Sequence, residues 1–200
     1  SVDGLTDGLV ESNSVYIGND PSGTTNTAQY NVAIGTTALD AITTGDENTA
    51  IGKDALTNNT TGTSNVAIGY EALRDNVSDV GNVGIGKSAL QESKGAEYNT
   101  AVGNNALRGT TDTHITGDEN VAIGAGAMKF NIAGEKNSAV GRSSLYTNTS
   151  GSNNTASGYQ SLHLNTTGDN NTASGYKSLN ANTTGTRNLA IGYSAYDNAD

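Results

Sequence analysis

A short segment, Asn-(Val/Thr)-Ala-(Ile/Val/Ser)-Gly-x-x-(Ala/Ser)-Leu, recurs along this chain. Its glycine falls at Gly18, Gly35, Gly52, Gly69, Gly86, Gly103, Gly124, Gly141, Gly158, Gly175 and Gly192. The spacing is 17 residues nine times and 21 once, between Gly103 and Gly124. A fixed period over almost the whole chain constrains the fold more than any composition can, because each unit must build the same structure and bury its apolar face on its neighbours. Seventeen residues are too few for the helix pairs of helical solenoids, whose periods run to about 33–47 residues.

Several columns follow from the phase. Asn stands four residues before the glycine at Asn31, Asn48, Asn65, Asn82, Asn99, Asn120, Asn137, Asn154, Asn171 and Asn188. Four residues after it come Leu39, Leu56, Leu73, Leu90, Leu107, Met128, Leu145, Leu162 and Leu179, and then Tyr196. A second glycine, at Gly45, Gly62, Gly117, Gly134, Gly151, Gly168 and Gly185, closes most coils behind Thr-Thr or a similar polar pair. The expected fold is therefore all-β: a β-solenoid or β-roll of about eleven 17-residue coils. Each coil is expected to hold two short extended runs, Asn-Val-Ala-Ile-Gly and the Ala-Leu stretch, joined by glycine turns. At about 4.8 Å per coil the rod would be roughly 50 Å long. Residues 1–13 read as a lead-in and 14–200 as one solenoid domain. The four surplus residues lie within 108–117 and are expected to loop out of the rod.

Side-chain alternation assigns the faces. Asn31, Ala33 and Gly35 point one way, Val32 and Ile34 the other. The Leu column is the expected core, and the Asn column is expected to form a ladder in which each amide bonds the same amide one coil away. The second glycines are expected to supply positive φ where the chain reverses. The Val/Ile pair turns into Thr155/Ser157 and Thr172/Ser174, which a single-chain core would not tolerate. That stripe either faces solvent or joins copies of the chain, and a long apolar stripe favours an interface.

The repeat also reinterprets the composition. Leu, Ile, Val and Phe make up only 17% of the 200 residues, and the net charge is −10; on average values alone this is the signature of a disordered chain. In phase, the same residues fall into stripes. With no Cys, disulfides, thiolate metal sites and cysteine nucleophiles are excluded. The acidic balance argues against nucleic acid, and no apolar run approaches the about 18 residues of a membrane span, so neither a nucleic-acid partner nor membrane insertion is expected.

Chemistry is sparse. His114 and His163 sit in no metal-ligand spacing and read as plain surface side chains, although copies of His163 could meet on a trimer axis. The acidic pairs Asp46-Glu47 and Asp118-Glu119 occupy equivalent turns and read as solvated charges. The Gly-x-Gly strings are repeat glycines with no helix behind them, and adjacent rather than alternating Thr residues do not make a flat ice-binding array. No catalytic residue, cofactor site or metal site is expected. The candidate ligand surface is aromatic: Tyr70, Tyr159, Tyr176 and Tyr193 directly follow a repeat glycine, and the last three should stack. Tyrosines beside Asn and Thr suit sugar rings; the simpler reading is that they cover turns and stabilise stacking.

The segments Asn48-Thr49-Ala50-Ile51-Gly52 with Ala55-Leu56 and Asn59-Thr60-Thr61-Gly62, Thr149 to Ala156, and Asn13-Ser14-Val15-Tyr16-Ile17-Gly18-Asn19-Asp20-Pro21 resemble repeats of bacteriophage tail fibres and adhesins, those of marine phages and cyanophages in particular. Less closely, they resemble the β-roll heads of trimeric autotransporter adhesins, whose repeat is shorter. The resemblance covers about Asn13 to Asp200. It implies a homotrimer, intertwined or side by side, that serves as a rigid structural and receptor-binding part of a virion tail fibre and meets a host cell-surface glycan or protein. A bacterial surface adhesin of the same fold is the alternative, and a polysaccharide-degrading fibre a more distant one. Such fibres often carry a C-terminal chaperone that cleaves itself away, and no such segment lies within these 200 residues.

Overall fold

A computed structural model describes residues 8–18, 21–110 and 113–197. The first seven residues of the lead-in, Asn19 with Asp20, residues 111–112 and the last three residues lie outside them. The rest is a β-solenoid of about ten turns whose strands form a single twelve-stranded sheet in strict sequence order. Strand β1 (Gly8–Glu11) is followed by β2 (Ser14–Ile17), β3 (Val32–Ile34), β4 (Thr49–Ile51), β5 (Val66–Ile68) and β6 (Val83–Ile85). Then come β7 (Thr100–Val102), β8 (Val121–Ile123), β9 (Ser138–Val140), β10 (Thr155–Ser157), β11 (Thr172–Ser174) and β12 (Leu189–Ile191).

From β2 onward every pairing is parallel and in register, so like stacks on like: Ala33 beside Ala50, Ala50 beside Ala67, Thr155 beside Thr172. The 17-residue period leaves no other register, because a slip of one residue would turn every buried Ala outward. Among the described strands the one antiparallel pair is β1 with β2, joined through Ser12 and Asn13 at positive φ. Part of the lead-in is thus the cap of the first coil, covering a sheet edge that would otherwise be open.

The Ala-Leu stretch is not a second strand. From β3 onward each coil has one strand of three residues, and the rest of its circuit is built mostly from turns. Three non-strand columns hold L-residues in the left-handed region. In one coil these are Glu47 at φ 59°, Asp54 at 59° and Leu56 at 50°, and the pattern repeats in the others. Left-handed backbone costs an L-residue roughly 1–2 kcal/mol. Stacking holds it there: Glu47 N–H donates to the Gln29 carbonyl at 3.0 Å, Asp54 N–H to Thr36 at 3.1 Å, and Leu56 N–H to Ala72 at 3.1 Å. Extended Ala-Leu was expected from side-chain type, but only a tight turn brings Leu back over the strand's Ala.

The interior is made of small residues around one leucine per coil. Leu39, Leu56, Leu73, Leu90, Leu107, Met128, Leu145, Leu162 and Leu179 are fully buried, with the strand alanines and the alanines preceding each Leu. In the last coils that preceding Ala becomes Ser144, Ser161 and Ser178, all buried, each donating its hydroxyl back to the carbonyl of a repeat glycine at 2.9–3.2 Å. Such a narrow core needs few large side chains, which is why a chain with so little Leu, Ile, Val and Phe can fold.

The second glycines have ordinary negative φ, contrary to expectation. They are required for closeness: a Cβ on Gly134 would lie 2.3 Å from the Gly151 carbonyl oxygen and 2.4 Å from Asn131 Oδ1. The repeat glycines satisfy both demands. Gly69, for example, has φ 134°, and its added Cβ would lie 2.7 Å from Gly86.

Candidate functional site

The strand alternation sends Asn and Ala inward and leaves Val32, Ile34, Ile51, Ile85, Val121, Ile123 and Val140 exposed on the outer face of the sheet. The core closes without them. The face becomes polar at Thr155, Ser157, Thr172 and Ser174, then apolar again at Leu189 and Ile191, each about 70% exposed.

The Asn ladder lies inside the rod and is built differently from the expected amide chain. Its main rung runs from backbone to side chain: Asn48 N–H donates to Asn31 Oδ1 at 2.9 Å, and the same bond repeats through Asn188. From Asn31 to Asn171 each Nδ2 donates to the carbonyl that ends its own coil, as Asn31 does to Gly45 at 2.8 Å. Amide-to-amide bonds are added only at some rungs, such as Asn137 to Asn120 at 3.1 Å. The reason is geometric. An inward side chain beside a strand end faces the neighbouring coil's free N–H, a group that must be paired when buried. Ser14 begins the column, its Oγ accepting from Asn31 N–H at 2.9 Å.

A second interior polar column was not foreseen. Asn59, Asn131, Asn148 and Asn165 donate to the second glycine's carbonyl three residues on, at 2.8–3.0 Å. Asn148 also reaches Asn131 Oδ1 at 2.6 Å. The sequence signal was available as an Asn seven residues after the repeat glycine, but Ile42 and Ser93 interrupt it.

Tyr159, Tyr176 and Tyr193 do stack, with ring centroids 5.2 and 5.0 Å apart and planes within 12°. Their inner ring faces are therefore occupied by one another. What the ladder offers a ligand is a row of ring edges and hydroxyls and the outermost faces. Tyr70 lies apart from them, between Lys53 at 5.5 Å and Lys87 at 5.7 Å from its ring centroid. A second aromatic lane was missed: Tyr146 stacks on His163 at 5.2 Å and meets Phe130 edge-on at 5.0 Å. His163 Nδ1 lies 3.0 Å from the Ser143 carbonyl, so this histidine is tied into the wall rather than loose on the surface.

The densest charge cluster lies beside the insertion. Arg74 donates to both oxygens of Asp75, at 2.9 and 2.7 Å, and to Glu92 Oε1 at 3.1 Å, with Glu71 at 3.8 Å. Glu92 is only 2% exposed. Burial, and then the adjacent Asp75 carboxyl, push its pKa up to about 7. Burial is the largest influence on Asp75 and opposes its ionisation, but hydrogen bonds from Arg74, Glu92 and Asn58 and the Arg74 charge together outweigh it and hold that carboxyl below the usual range. The Asp75 hydrogen bonds in turn raise the Arg74 guanidinium.

The insertion leaves the wall after Gly109. Thr110 and Thr113 bridge each other across its base, and Ile115 returns to the buried interior beside Ser93. Its excursion is thus bounded by Thr110 and Thr113, with 111–112 outside the described residues. His114, expected as a plain surface residue, lies at the surface beside Asp75 and Glu92.

Among the described residues the surface has no cavity, and no helix is long and apolar enough to cross a membrane. No protein-family model, curated protein or solved structure matches this chain.

Proposed function

We propose that this chain is a rigid rod of a viral tail fibre that associates side by side as a homotrimer and presents its wall to a host envelope glycan or protein. The observation that carries this reading is the outer sheet face. A parallel sheet buried on one side keeps a row of Val and Ile on the other, over a core that is already complete. Contiguous exposed apolar surface of that kind marks association, and strands β2 to β11 are hydrogen-bonded on both edges within their own chain, so the contact would join faces rather than exchange strands. Three identical walls would raise avidity without any single strong contact. The acidic surface would keep such rods apart in solution.

Solution mass tests the assembly. We expect about 60 kDa, three times the 20.3 kDa of one chain. Replacing Ile34, Ile51 and Ile85 with Lys should release folded monomer; a wild-type chain that is monomeric at micromolar concentration would sink the interface. Binding is tested separately on whole host cells and purified envelope polysaccharide. Retention without shortening of the polymer fits the adhesive reading, whereas shortened polymer would favour a degrading fibre.

A further inference from the structure

The insertion between Gly103 and Gly124 carries an imidazole onto a stacked carboxylate pair. Asp75 and Glu92 are one period apart and occupy the same column of adjacent coils. The next member of that column is Gly109, which has no side chain, and His114 belongs to the inserted loop that leaves the wall there. One carboxylate oxygen of Asp75, one of Glu92 and one ring nitrogen of His114 all lie within 4.8 Å of one another.

Two further observations point to a cation site. His114 Nδ1 is buried with no hydrogen-bond partner among the described residues, a state that costs free energy unless something fills it. The local charge also leans negative: among the described residues, three carboxylates, Glu71, Asp75 and Glu92, pair with the one guanidinium of Arg74, while the second nearby guanidinium, Arg108, donates to the neutral Gln91 Oε1 at 2.9 Å and reaches Glu92 only through space.

We propose that Asp75, Glu92 and His114 form a binding site for a divalent transition-metal ion of the zinc class, one that ties the inserted loop to the two coils beside it. An imidazole with two carboxylates is a donor set that such ions accept, with a fourth position left to water. Bonds of about 2.0–2.2 Å in a tetrahedron place donor atoms roughly 3.4 Å apart, so side-chain atoms already within 4.8 Å of one another need close by at most about 1.4 Å. Arg74 is the competing cation, and its side chain is exposed enough, at 29%, to swing toward solvent. The ion would act as a staple at the one coil whose period is broken. This site is independent of the outer apolar face and of the tyrosine ladder.

Titration of the full chain with zinc alone, and with cobalt(II) to read coordination by absorption, tests the site. We expect one ion per chain with Kd at or below about 10 µM. His114→Ala and Glu92→Gln should each weaken binding by about 10–100-fold, while His163→Ala leaves it unchanged. His114→Ala removes a side chain from the inserted loop, so its far-ultraviolet circular dichroism should match wild type, and it keeps the test decisive if Glu92→Gln perturbs folding. Absence of saturable binding up to about 1 mM, or wild-type affinity in His114→Ala, overturns the proposal.

Discussion

Asn120 shows how much one residue holds in this rod. Its Oδ1 accepts the Asn137 backbone N–H at 3.0 Å, its Nδ2 donates to the Gly134 carbonyl at 2.9 Å, and its own N–H is paired with Asn99 Oδ1. Asn120→Ala removes the first two bonds; the Gly134 carbonyl keeps its bond from Asn131 Nδ2 at 2.8 Å, but the Asn137 N–H is left buried and unpaired. We expect a loss of about 1–3 kcal/mol in urea unfolding, with a smaller loss for the half-buried Asn188→Ala. A change below about 0.5 kcal/mol at Asn120 would mean that water replaces the lost partner of the Asn137 N–H. Left-handed positions are informative in the opposite direction. Lys136 sits at φ 56° in the same column as Asn153 and Asn170 at 58°. Asn tolerates that region better than Lys, so Lys136→Asn should raise stability by about 0.5–1 kcal/mol. Tyr16 closes the first coil, fully buried, its hydroxyl without a partner among the described residues and its phenol pKa raised by burial. Tyr16→Phe should therefore cost less than about 0.5 kcal/mol.

At the scale of the coil, the unit is one three-residue strand, a leucine turn and a glycine that lets the next coil approach. Leu107→Ala opens a cavity in a core only one leucine wide, with alanines and backbone around it that have little freedom to collapse. We expect a loss of about 3–5 kcal/mol, toward the upper end of the range for such substitutions. Gly134→Ala is the more severe test of closeness, since its φ is ordinary and only the Gly151 carbonyl and Asn131 Oδ1 stand in the way. If Gly134→Ala proved neutral by thermal unfolding, spacing between coils would be softer than these contacts imply. The period, the inward Asn-x-Ala pattern and the outward Val/Ile stripe were all legible at this scale, because alternation in a strand follows directly from sequence. The leucine turn was not. Ala-Leu is compatible with strand or turn by residue type, and only the hydrogen bonds from the adjacent coil hold Leu at positive φ.

At the scale of the whole rod, each coil touches only its neighbours, so stability is a sum of coil and interface contributions and can be lost locally. Hydrogen exchange should show a plateau of protection through β4–β9 and a decline toward β12, whose outer edge has no partner among the described residues. Uniform protection from β2 to β12 would indicate that something covers that end. At this scale the candidate sites separate. The tyrosine ladder was legible because three tyrosines fall one period apart. The histidine cluster was not recognised, although Asp75 and Glu92 are also one period apart, because His114 reaches them from outside the phase.

Sequence alone determined the period, the parallel in-register stack and the residues that share each column. A fixed 17-residue repeat with like residues in phase has only one register that buries the same side of every strand. Tertiary structure decided what those columns do. It turned the Asn amides onto backbone groups and placed Leu in a left-handed turn. It also gave the second glycines a purely steric role and set His114 against Asp75 and Glu92. Those outcomes depend on the few ångströms between adjacent coils and on the direction in which each side chain leaves the backbone, neither of which is encoded in spacing along the chain.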